Sequence, residues 1–102
     1  MSKVRENLIA ARALIDTPEK WGKGGYVSAT PNVCFCAVGA LANANCWSFA
    51  EVWHERAIDV LYDKLPPNSG GLTVYNDHPD TTHADIMALF DRAIAAAEQV
   101  AA

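Results

Sequence analysis

Apolar residues recur along this chain at helical spacing. Val4, Leu8, Ala11 and Ile15 follow one another at steps of four, three and four, which marks one face of an amphipathic helix ending near Asp16, with Ser2 placed to cap it. Thr17 and Pro18 then have the order of a cap and a first helical position, so a short turn should carry Trp21 toward the core. "GKGGYVSATPN" breaks regular structure; a loop is expected there, with one short extended piece over 26–29.

A second helix is expected from Asn32 to about Asn45, with Val33, Ala37, Ala40, Leu41 and Ala44 on one face. Gly39 costs that helix stability, which makes sense if Gly39, Ala40 and Ala44 let another helix backbone come close. "CWSFAEV" predicts a third helix starting at Ser48. Ser48 and Glu51 have the spacing of a capping box, and Trp47 and Val52 that of a hydrophobic staple. Phe49, Val52, Trp53, Ala57, Val60 and Leu61 would line its inner face until "LPPNSGG" stops it.

Leu72 to Tyr75, "LTVY", has the β-branched and aromatic content of a short strand or extended segment, and "NDHPDTT" after it is rich in turn formers. Thr82 and Asp85 form a cap-like pair opening a last helix, along which Ile86, Phe90, Ala93, Ile94, Ala97 and Ala101 repeat at helical spacing. The expected fold is therefore mostly α: one compact domain over 1–102, with four main helices and one short extended or β segment near residues 72–75.

Composition narrows the function classes. A formal charge of −4 and only eight scattered basic residues give no electrostatic footprint for a phosphate backbone, so no nucleic-acid partner is expected. No apolar run approaches a membrane span, and the N-terminal segment alternates charge with apolar residues instead of forming a signal-peptide h-region. Three cysteines cannot all pair within one chain, and Cys34 and Cys36 lie two apart, which points to reduced thiols in a cytoplasmic compartment.

The sharpest catalytic constellation places Cys36 as a nucleophile near the start of the second helix, where the helix dipole favours a thiolate. His78 or His83 would serve as its base and Asp77 or Asn76 as the orienting group, as a cysteine hydrolase requires. Against it stands the common fate of an unpaired cysteine, burial as a small apolar residue. Asn76, Asp77, His78, Thr82 and His83 also concentrate between an extended segment and a helix start, where backbone amides can hold an anion or another small molecule. Turn formation and capping explain most of the same residue choices.

Zinc is not expected. Cys34, Cys36, Cys46 and His54 could supply four ligands, but structural sites pair ligands two to four residues apart in each knuckle, and seven residues separate Cys46 from His54. "WHERA" lacks the second histidine of a zincin helix, since Ile58 stands there, and "GKGG" lacks both the spacing and the Ser or Thr of a phosphate loop. Neither a metal nor a cofactor follows from these residues. Trp21, Trp47 and Trp53 fit a packing role better than an aromatic ligand pocket.

The Trp21-Gly22 pair, "CAVGALANA" (Cys36 to Ala44) and "YNDHPDTTHADIMALFDRAIA" (Tyr75 to Ala95) together resemble a small family of uncharacterised domains found in bacterial and bacteriophage genomes. The likeness spans roughly residues 5 to 97, with the Cys-Ala-x-Gly-Ala-Leu and Asn-Asp pieces as its marks. It implies no mechanism, because that family has no assigned activity. The residues and the resemblance together lead to a noncatalytic accessory or interaction domain acting through a protein partner or self-association, with the Cys36 hydrolase and the binding module at 76–83 as alternatives.

Overall fold

The computed structural model describes residues 3–28 and 33–99, with the side chains of 98 and 99 left aside. Helix α1 spans Lys3–Leu14 and is followed by a 3-10 turn at Pro18–Lys20. Strands β1 (Val27–Ser28) and β2 (Cys34–Phe35) pair antiparallel, with Val27 opposite Phe35 and Ser28 opposite Cys34. Helix α2 covers Ala37–Ala44, a second 3-10 turn Glu51–His54, α3 Arg56–Asp63, α4 Leu72–Asp77 and α5 His83–Gln99. The four longer helices, α1, α2, α3 and α5, enclose one core, and the Cα radius of gyration of 12.5 Å is that of a compact body of this length.

Helix α1 buries Leu8 and Ala11, with Ile15 just beyond its end, and α5 buries Ile86, Leu89, Phe90, Ala93 and Ala97. Both faces follow the periodicity of the sequence, and Leu89, three residues after Ile86, widens the inner face of α5. Helix α2 is apolar nearly all round: Ala37, Val38, Gly39, Ala40, Leu41 and Ala42 are all buried, because α1, α4 and the β2 segment surround it. The proposed Ser2 cap and Ala101 lie outside the described residues.

Four local expectations are corrected. Leu72 to Tyr75 is helical, not extended. Helix α4 places Leu72 and Asn76, four residues apart, on its buried face and turns Val74 outward. No strand partners it among the described residues, so burial at i and i+4 overrides a β propensity that is itself a packing preference. The second helix starts at Ala37, with Val33 to Cys36 not helical; the expected start at Asn32 lies outside the described residues. Cys34 and Phe35 are spent on β2, and Cys36 has extended dihedrals (φ −77°, ψ 175°), making it the N-cap.

The third helix is broken at Glu55, whose ψ of 146° separates the 3-10 turn from α3. Val52 and Leu61 are both fully buried, yet nine residues at about 100° each would set them on opposite sides of one straight helix. The break resolves that conflict. It also leaves Phe49 and Trp53 on the surface, where the continuous-helix reading had placed them inside.

The last correction concerns Gly39. A Cβ there would lie 1.9 Å from the carbonyl oxygen of Tyr26, so the backbone that comes close is the segment leading into β1, not another helix. The Ser48–Glu51 and Thr82–Asp85 pairs form as read, each with reciprocal backbone-to-side-chain hydrogen bonds of 2.9–3.2 Å.

Candidate functional site

Asn76, at the C-terminal end of α4 and 1% exposed, is the polar centre of the molecule. Its Oδ1 accepts from Trp21 Nε1 at 2.7 Å and from the Ala37 amide at 3.0 Å. Its Nδ2 donates to the Gly22 carbonyl and to Asp77 Oδ1, both at 3.0 Å. One side chain thereby ties the glycine segment, the start of α2 and α4 together, and all four partners satisfy groups whose burial would otherwise be costly.

The residues on either side extend this clamp. Asp77 Oδ1 also accepts from the Gly24 amide at 2.9 Å, and Lys23 Nζ donates to the His78 carbonyl at 2.6 Å while lying 5.4 Å from the centre of the Trp21 ring. "GKGG" and "NDH", more than fifty residues apart, are thus two halves of one contact. Gly24 has φ +86°, the left-handed region that glycine enters without steric cost, and this presents its amide to the Asp77 carboxylate.

Between the glycine segment and α4 the clamp leaves a cavity of about 200 Å³, lined by Gly24, Gly25, Tyr26, Cys36, Thr73 and Asp77. Cys36 is 3% exposed, and its sulfur accepts from the Gly39 amide at 3.3 Å as the cap of α2. Burial pushes its thiol pKa above the ordinary value of 9.0; the Gly39 amide works against that rise and the negative charge of Asp77 adds to it. At neutral pH the group is a thiol, and the helix-start position favouring a thiolate is outweighed by desolvation.

Of the sequence-predicted site residues, Cys36 and Asp77 meet at the cavity and Asn76 stands behind it. His78 and His83 are not among the described residues that line it. His78 Nδ1 accepts from the Asp80 amide at 3.0 Å within the turn after α4, and His83 Nε2 donates to the Ile15 carbonyl at 2.7 Å, tying α5 to the end of α1. Thr82 Oγ1 caps α5 by accepting from the Asp85 amide. Among the described residues no group of three or more His, Cys, Asp or Glu is gathered as a metal would need, and Cys46 and His54 are exposed.

Sequence reasoning missed Tyr26, Thr73 and the structural use of Trp21. Tyr26 is positioned by the hydrogen bond from the Cys36 amide to its carbonyl at 3.2 Å, a pairing that only the absent side chain of Gly39 permits. The available signal was the surplus of Gly in one segment and of Asn and Asp in the other, each too generic alone to reveal the pairing.

Among the described residues no helix is long and apolar enough to cross a membrane. No curated protein and no solved structure matches the chain. A family model described as a family of unknown function (DUF6197) matches residues 1–96, and the chain belongs to that family.

Proposed function

We propose that this protein is a noncatalytic accessory or interaction domain of bacterial or phage type, acting in a cytoplasmic compartment through a protein partner or a second copy of itself. The observation that carries the reading is an aromatic cluster held at the surface around Tyr26. The Tyr26 and Phe49 rings lie 4.6 Å apart, Trp53 Nε1 donates to the Tyr26 hydroxyl at 3.2 Å, and Phe49 and Trp53 are each 39% exposed. Single exposed apolar residues are ordinary; aromatic residues held together on a surface, with polar atoms already paired, are characteristic of contact sites.

The Cys36 hydrolase has less support. Its nucleophile is buried, protonated and engaged as a helix cap, and both histidines are occupied by structural hydrogen bonds.

Site-specific photocrosslinking in the native host tests the interaction reading, with the photoreactive residue placed at Phe49 or Trp53 and, as a control, at exposed Glu19. Discrete adducts, to another protein or to a second copy, are expected at 49 and 53 and not at 19. Equal labelling at all three positions, or none, overturns the reading.

A further inference from the structure

We propose that the cavity between the glycine segment and α4 is a binding site for a small organic ammonium ion, with the Asp77 carboxylate as its counter-ion. Among the described residues lining the cavity, Asp77 is the one formal charge; Thr73, Cys36 and Tyr26 add neutral polar or polarizable groups. Two hydrogen bonds from the Gly24 amide and Asn76 Nδ2 hold Asp77 Oδ1, which fixes the carboxylate and leaves Oδ2 without a partner among the described residues. A carboxylate oriented in this way, beside a thiol that stays neutral, presents a negative site rather than the anion cradle that the residue types of 76–83 suggested.

The space is built into the fold. Gly24, Gly25 and Asp77 are exposed and Cys36 is buried, so the space is a pocket open to solvent on its glycine and carboxylate side and closed at its floor by the thiol. At about 30 Å³ for each water of the liquid, the cavity of about 200 Å³ has room for roughly six waters, which suits an ammonium ion of a few heavy atoms and not a nucleotide. The nearest lysine of the glycine segment does not supply the charge: Lys23 Nζ is committed to the His78 carbonyl, and Lys23 is not one of the described lining residues. Because Asp77 is exposed, an ammonium paired with its carboxylate sheds only part of its hydration, and the charge-assisted hydrogen bond offsets that loss.

The test is an amide NMR titration of the full chain with ethylammonium, and in parallel with neutral propan-1-ol, with propionate and with sodium chloride at matched ionic strength. Ethylammonium should produce saturable shifts at Gly24, Gly25, Tyr26 and Thr73 that the other three solutes do not. Asp77→Asn keeps an oxygen acceptor for Gly24 and should weaken binding at least tenfold. Thr73→Leu, which fills the cavity from the half-buried side of α4 without changing charge, should do the same, and it decides the matter if the Asp77 variant does not fold. Shifts that are matched by sodium chloride, stronger for propionate, or unchanged in a folded variant overturn the proposal.

Discussion

The indole of Trp21 donates to the Oδ1 of Asn76 across fifty-five positions of sequence, at 2.7 Å, and the same oxygen takes the amide of Ala37. An amide side chain is required there, since it is the short neutral group that both accepts from two donors and donates to the Gly22 carbonyl. Asn76→Ala leaves two donors and one acceptor without partners and should cost roughly 3 kcal/mol or more. Urea denaturation measures it; a loss below about 1 kcal/mol would mean that water replaces the side chain and that Asn76 is no hub.

Asn76→Asp is a sharper probe. It keeps the acceptor but buries a carboxylate against Asp77 Oδ1, where the amide now donates. The new carboxyl should have a folded pKa above the unfolded value of about 3.9, so its neutral form favours folding: the deficit is smallest below that pH and grows as pH rises. A deficit independent of pH between acid and neutral would contradict this arrangement.

Gly39→Ala sets helix propensity against packing. Alanine would gain about 1 kcal/mol in an open helix, but here its Cβ would meet the Tyr26 carbonyl oxygen at 1.9 Å, and neither backbone can yield without breaking the Cys36-to-Tyr26 hydrogen bond. The expected net loss is about 2 kcal/mol or more, with faster amide exchange at Cys36. A variant as stable as the parent would show that the β1 approach is loose.

What was legible in the chain was what repeats locally. The faces of α1 and α5, and both reciprocal caps, depend on residues three or four apart, and the sequence displays those spacings directly. The start of α2 and the helical state of Leu72 to Asp77 depend on partners far away: Tyr26 for Cys36, and Trp21, Gly22 and Ala37 for Asn76. Of the candidate site, Cys36 and Asp77 were found by residue type, but their shared cavity was not, because it forms only where the glycine segment meets α4 more than forty residues away in sequence.

The two caps should differ in weight. Thr82 opens a seventeen-residue helix, and Thr82→Ala should cost about 1 kcal/mol. Ser48 opens only a short 3-10 turn, so Ser48→Ala should cost less. Hydrogen bonds from Ser48 hold the Glu51 carboxyl pKa below its ordinary value. The stability from that contact is therefore present above the unfolded pKa of about 4.3 and lost as pH falls through the folded value. Thermal melts of parent and Glu51→Gln should converge in acid, since the Ser48 amide that holds the carboxylate stays in both; a constant gap would leave the Glu51 charge out of the cap.

Cys36 carries the last prediction. With Cys34→Ser and Cys46→Ser isolating the site, the buried thiol should alkylate slowly at neutral pH in the folded protein and quickly only after unfolding. Its raised pKa has a consequence for stability. The unfolded thiol ionises first, so the native state holds more protons above about pH 8.5, and stability present below that pH is lost as pH rises toward the folded pKa. The thiol's share of the fall should vanish in Cys36→Ala, while Tyr75, whose pKa burial also raises, keeps its own; the variant is less stable at every pH because Gly39 loses its cap acceptor. Comparing denaturation midpoints of the two proteins from neutral to alkaline pH isolates the effect. Rapid labelling near pH 6 that disappears when His78 or His83 is replaced would require a thiolate paired with an imidazolium, and would return the hydrolase reading to first place.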